Sequence, residues 1–223
     1  MDSKVALIIV DLQEDFCPPN GSLAVPGGRE IVPVINRLLA SPLFDVTVAT
    51  KDWHPADHIS FASNHPAPDN LPFESFAKVV NPYNPSESYE TRLWPVHCVQ
   101  GTTGAQLVPD LDVAKVNHII EKGQDKRVEM YSAFWDPFVN PRVAESGLRG
   151  YLREHGVGTV YVVGLAMDYC VKATAEDAAS EGLETYVIKD GTKAVDPDEG
   201  WKKAKAEMES KGVRFVGIYD IQI

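Results

Sequence analysis

The stretch "GLAMDYCV" (164–171) follows directly on the apolar run "TVYVV" and sets a cysteine among small residues, an aspartate and a tyrosine. A packing cysteine would sit more naturally inside the run, whereas Cys170 falls just beyond it, where a helix is expected to begin. With Asp168 as N-cap, Cys170 lies in the first helical turn, where unpaired amides and the helix dipole favour a thiolate. Such a position can lower a thiol pKa from about 8.5 into the range of roughly 3.5–7.5, as a nucleophile requires. Asp11, closing "KVALIIVD", could act as base or acid toward that thiol. Lys122, in "IIEKGQ", could hold Asp11 ionised and steady a developing anion. Each also has a plain structural reading: a buried packing thiol, a charged residue ending a strand, a solvated lysine.

A second constellation is "KDWHP" together with "WPVHC". Asp52 and His54, two apart in an extended chain, point to one side. His97 could close a facial set of one carboxylate and two imidazoles, leaving positions for water or substrate. One divalent ion fits such a set, Zn²⁺ foremost, with Fe²⁺ or Mn²⁺ as alternatives. His58, His65, His118 and His155 read as surface or packing residues, Cys17 as structural, and Cys98 as pointing away from His97.

These groups must be carried by elements. "KVALIIVD", "VTVAT", "NHIIEK", "TVYVVG", "ETYVIKD" and "RFVGIYD" read as six strands, the first buried on both faces because it lacks polar alternation. "REIVPVINRLLA", weakened by Pro33, "DYCVKATAEDAASEG", stopped by Gly182, and "DEGWKKAKAEMESKG" read as helices. Strand–helix–strand spacing predicts an α/β fold, a parallel sheet covered by helices on both faces. In strand order 3-2-1-4-5-6 the switch point lies between strands one and four, so Asp11 and Cys170 would face each other there. Between Asp52 and Gly104 runs a Pro-rich insertion without sustained periodicity, and something must pin it.

The chain has 223 residues, 21 basic against 32 acidic, for a formal charge of −11. That balance argues against nucleic acid or an anionic membrane as partner, since both reward a basic surface. With 44% apolar and 24% charged residues it can bury a substantial core, expected as one domain over 1–223. The N-terminus does not read as a signal peptide and no run reaches membrane-helix length. Three unpaired cysteines then suggest a reducing, cytoplasmic setting.

Together the stretches "IIVDLQEDFCPPNGSLAVPGG", "TKDWHPADHISFA", "LWPVHCVQGTTGAQL", "EKGQDKRVEMYSAF" and "VVGLAMDYCVKATAEDAA" resemble the isochorismatase-like family of cysteine hydrolases. "DWHP…HISFA" with "LWPVHC" resembles its metal-bearing nicotinamidase branch in particular. The resemblance implies a six-stranded parallel sheet, a triad of Asp11, Lys122 and Cys170, and an oxyanion hole from the amides of Ala166 and Cys170 beside a cis Leu165–Ala166 bond. It implies a metal on Asp52, His54 and His97 with water completing the shell, and Glu129 ordering that water. Phe16, Trp94, Tyr131, Ala166 and Tyr169 would line the substrate pocket. The implied reaction is hydrolysis of nicotinamide to nicotinate and ammonia in NAD salvage, with pyrazinamide as a further substrate, by a homo-oligomer. The alternatives are another small amide as substrate, or a non-enzymatic ligand-binding or thiol-sensing protein. Glu14 and Met167 depart from the family's usual Asn and Thr, which touches fine pocket shape only.

Overall fold

A computed structural model describes residues 3–221. Its centre is β1 (Lys4–Val10), whose residues from Ala6 onward are fully buried. Alternation along β1 feeds two cores: Ala6, Ile8 and Val10 on one face, Leu7 and Ile9 on the other. Against the first face pack α2 (Leu148–Glu154), α3 (Lys172–Ser180) and α4 (Glu199–Ser210), through Leu148, Leu152, Ala175, Ala178, Ala204 and Met208. Against the second packs α1 (Val32–Leu39), through Ile35, Leu38 and Leu39. Pro33 does not weaken α1 as expected. It occupies the first turn, where its missing N–H is not needed.

β2 (Val46–Asp52), β5 (His118–Lys122), β6 (Val157–Leu165), β7 (Glu184–Lys193) and β8 (Arg214–Val216) complete the main sheet. Its order is β5-β2-β1-β6-β7-β8, all parallel, which is the expected 3-2-1-4-5-6. β8 is shorter than "RFVGIYD" suggests. Asp220 and Asp190 accept the amides of Gly217 and Ile218, and the chain turns there. α2 was not anticipated from the sequence, although Leu148 and Leu152 stand one turn apart on its buried side.

The insertion after β2 is not structureless. It contains an antiparallel hairpin, β3 (Phe76–Asn81) and β4 (Asn84–Arg92), with Ala77, Val79 and Asn81 turned inward and Phe76, Lys78 and Val80 outward. Pro82 and Pro85, which argued against strands, lie at the turn and next to the start of β4. Backbone bonds then fasten the return of the chain. Trp94 donates to the Ser60 carbonyl at 2.8 Å, His54 donates to the Cys98 carbonyl at 3.0 Å, and Gln100 donates to His54 at 2.9 Å. Among the described residues, no helix is long and apolar enough to cross a membrane.

Gln13 is the tie between the sheet and the end of this insertion. Fully buried, it accepts the Asp52 amide at 2.8 Å and donates to the carbonyls of Asp52 at 2.8 Å and Ala105 at 2.9 Å. Replacing it by leucine strands those backbone groups. Gln13→Leu is expected to lower the unfolding free energy by about 1–3 kcal/mol in urea titrations, and a parental midpoint would contradict the assignment.

Candidate active site

The sheet's reversal lies between β1 and β6, and beyond the strand ends there the sequence-marked groups meet. Asp11 leaves β1 with φ +46°, a left-handed kink that turns its carboxylate into the crevice. Thr50 of β2 holds it, donating to Asp11 Oδ1 at 2.6 Å and accepting the Asp11 amide at 3.1 Å. β5 pairs with β2 so that Lys122 stands beside Asp52. The Lys122 ammonium, fully buried, reaches Asp52 Oδ1 at 2.5 Å, Asp11 Oδ2 at 3.0 Å and the Met130 carbonyl at 3.1 Å. Its fourth neighbour is Cys170 Sγ at 3.7 Å. Atoms of Asp11, Asp52 and Cys170 lie within 4.8 Å of one another.

Burial and charge set the protonation of this cluster. Burial pushes Asp11 up to about 6 against the pull of Lys122. Burial also raises Asp52, but Lys122 and His54 outweigh it and hold that carboxylate well below the usual range. Lys122 stays charged because two carboxylates more than offset its desolvation. Cys170 differs from expectation. Desolvation drives its thiol well above the ordinary value, although Lys122 draws it down. The residue rests as a thiol and needs a proton acceptor.

Nor does Asp168 cap a helix over Cys170. The chain enters α3 through one wide π-helical turn, Met167–Val171, with Ala166 at its head. The Asp168 carboxylate instead accepts the amides of Val195 at 2.9 Å and Asp196 at 3.0 Å, tying that turn to the loop before α4. The Leu165–Ala166 peptide is cis.

Asp52, His54 and His97 each offer an atom within 4.8 Å of the others, all buried. His54 Nδ1 donates to the Gly123 carbonyl at 2.7 Å and His97 Nδ1 to that of Pro95 at 2.7 Å. Both rings therefore present Nε2, and His54 Nε2 is buried with no hydrogen-bond partner, 3.5 Å from Asp52 Oδ2. That spacing suits two ligands about 2.0–2.1 Å from a tetrahedral Zn²⁺. Backbone carbonyls fixing the ring tautomer are the usual second tier of such sites. Burial and the nearby His54 push His97 down to about 4, so it is neutral, as a ligand must be. The donor set fits a divalent ion.

His58 is neither a surface residue nor simple packing. It stacks on His54 with ring centroids 4.0 Å apart and contributes, with His54 and Glu129, to a second group of converging donors. Its own nitrogens are engaged by Ser60 Oγ at 2.8 Å and the Val128 carbonyl at 3.1 Å. Glu129 is buried, accepts the Met130 amide at 3.0 Å, and is held by the Tyr89 hydroxyl of β4 on both sides of its peptide. Burial raises its carboxyl.

Above these groups is a narrow cavity whose lining includes Phe16, Trp94, His97, Tyr131, Tyr169 and Cys170, as well as Ala166. Trp94 and Tyr169 meet edge to face at 4.8 Å, and Trp94 Nε1 donates to the Tyr131 hydroxyl at 2.9 Å. Sequence reasoning missed Leu23, Val25 and Val195 in this lining, and also Thr50 and Gln13 beneath it. A hydroxyl inside a fully buried strand was the available sign for Thr50.

The isochorismatase domain family matches residues 5–218, and the chain belongs to it. Within that class, it is 44% identical to the nicotinamidase of Acinetobacter baylyi over 99% of this chain and 96% of the relative. The crystal structure of the yeast nicotinamidase bound to the inhibitor nicotinaldehyde superposes with a TM-score of 0.88 at 38% identity, covering 96% of this chain and 99% of that one. The pyrazinamidase of Pyrococcus horikoshii in complex with zinc gives a TM-score of 0.71 at 37% identity, covering 96% and 99%.

Gly123 shows how closely the metal-binding candidates are packed. It has φ +69°, and a Cβ there would lie 2.5 Å from His54 Cε1. Gly123→Ala is expected to weaken Zn²⁺ binding by about 10–100-fold, measured by chelator competition. An unchanged affinity would contradict the placement of His54.

Proposed function

We propose that this protein is a nicotinamidase, hydrolysing nicotinamide to nicotinate and ammonia through a thioester on Cys170, with pyrazinamide as a further substrate. The observation that carries the reading is the convergence of Asp11, Lys122 and Cys170 beside Asp52, His54 and His97 under one aromatic cavity. Nicotinamidases similar to this chain over nearly its whole length support the substrate class.

Asp11, ionised above its pKa of about 6, takes the Cys170 proton. The sulfur lone pair attacks the carboxamide carbon, and the C=O π pair moves to oxygen, toward the amides of Ala166 and Cys170. One such donor is worth roughly 3–4 kcal/mol. Collapse of the oxyanion breaks the C–N bond, and Asp11 returns its proton to the departing nitrogen as ammonia. Asp11 next takes a proton from the water that attacks the thioester, the C–S bond breaks, and the sulfur is reprotonated. Lys122 balances the anionic charge on Asp11 and sulfur throughout. Phe16, Trp94, Tyr131 and Tyr169 clamp the ring and exclude water. When bound, a divalent ion, Zn²⁺ in our reading, would be held by Asp52, His54 and His97 and would supply a Lewis-acid anchor for the pyridine nitrogen, with Glu129 placed to order water at the site. We place the enzyme in NAD salvage, in the cytoplasm, as one domain that assembles into a homo-oligomer.

An ammonia-release assay on nicotinamide tests this reading. Cys170→Ala should abolish turnover while keeping bound metal, and Asp11→Asn should lower kcat by roughly 10²–10⁴-fold. Ammonia release by Cys170→Ala would overturn the thioester route, and failure of the parent to act on nicotinamide would redirect the search to other small amides. The working form of Asp11 is the ionised one and its pKa is raised to about 6, so activity is present above that value. kcat/KM should fall as pH drops through about 6, and a profile flat down to about pH 4 would contradict Asp11 as base.

A further inference from the structure

Arg92 ends β4 opposite Phe76, two residues before the cavity wall Trp94. Its guanidinium carbon lies 5.4 Å from the Phe76 ring centroid and 5.9 Å from that of Trp94. Trp94 is a cavity wall, and Phe73, itself 44% exposed, packs edge-on against its outer side at 5.7 Å. The Arg92 charge also acts on Tyr169, the lining residue in edge-to-face contact with Trp94. Burial raises that hydroxyl's pKa and the Arg92 charge draws it back, while Asp168 and Asp196 add to the rise.

Like Arg37, Arg142 and Arg153, Arg92 has no carboxylate partner among the described residues, and it lies against Trp94, a wall of the cavity. Arg29 is paired with Glu14, Arg127 with Asp125, Arg149 with Glu181 and Arg214 with Glu184. Among the described residues, no carboxylate comes within 4.0 Å of the Arg92 guanidinium, which is half-buried against aromatic rings. Stacking on ring faces orients a guanidinium and strips part of its water without neutralising it. In a chain of net charge −11, that leaves a positive charge beside the Trp94 wall of a cavity whose lining includes Asp52 and Glu129.

We propose that Arg92 is a charge-selective residue beside this cavity, favouring an aromatic carboxylate over the neutral aromatic carboxamide. The inference rests on the nicotinamidase reading, in which hydrolysis converts an uncharged substrate into an anion of nearly the same shape. The aromatic walls then hold substrate and product alike, and Arg92 distinguishes them. The product is retained more firmly than shape alone would give, so nicotinate acts as a salt-sensitive inhibitor while nicotinamide does not feel the charge. A single partly screened charge at such a distance changes affinity by about 2–10-fold.

The test compares the inhibition constant of nicotinate with the KM of nicotinamide in the parent enzyme, Arg92→Gln and Arg92→Lys, at about 50 mM and about 0.5 M salt. The expected result is a rise of about threefold or more in the ratio of inhibition constant to KM for Arg92→Gln. Arg92→Lys should restore most of the parental ratio, and salt should raise the ratio in the parent but not in Arg92→Gln. Equal shifts in both constants, as a merely misshapen wall would give, or no shift in either, would overturn the role of Arg92. Absence of nicotinamide turnover by the parent would remove the functional reading and this role with it. Normal turnover with an unchanged ratio would remove only the role.

Discussion

A single buried ammonium organises the crevice. Lys122 has no access to water, so its charge must be met by the protein, and Asp11 and Asp52 meet it at 3.0 and 2.5 Å. That requirement fixes β5 against β2 in the register that sets Lys122 opposite Asp52, and it draws the end of β1 inward. Cys170 comes to the same nitrogen from the other side of the switch point, at 3.7 Å. Asp52 then serves two neighbours at once. Oδ1 faces Lys122 and Oδ2 faces His54, so the thiol cluster and the metal-binding candidates share one carboxylate and cannot be positioned independently.

This sharing divides the two carboxylates in character. Asp52, gripped by Lys122 and His54, is held strongly acidic, whereas Asp11, with the longer contact to Lys122, is raised to about 6. Two like groups in unlike surroundings acquire unlike tasks, one a permanent anion and the other able to take and return a proton. The thiol completes the pattern. Its burial opposes the thiolate, so in the reaction we propose the proton transfer to Asp11 would be part of the chemistry and not a preliminary to it.

Much of this was legible in the sequence because polar residues at the ends of apolar strands have few reasons to be there. Asp11 and Cys170 each follow a buried run, Lys122 ends a short apolar strand, and the doubly wound order supposed for such a pattern brings the three together. The D-x-H spacing likewise puts Asp52 and His54 on one side. What could not be read was anything set by packing at a distance. The β3–β4 hairpin was hidden by prolines and by side chains that face solvent on most of β4. Asp168 looked like a cap, but the π-helical turn moved the helix start and gave its carboxylate to Val195 and Asp196. The thiol's acidity was misjudged for the same reason, since a helix N-terminus is local and desolvation is not. His58 was visible only as part of "HISFA" and its own role was not, because its place beside His54 depends on how the insertion folds back.

The dependence of the site on one buried charge can be measured through urea unfolding of metal-free Lys122→Met and of the triple variant Asp11→Asn/Asp52→Asn/Lys122→Met. Removing the ammonium alone leaves two buried carboxylates uncompensated, and the expected loss is about 3–5 kcal/mol, most of it regained when both carboxylates become amides. A Lys122→Met protein as stable as its parent, or a triple variant no more stable than the single one, would contradict the place given to Lys122.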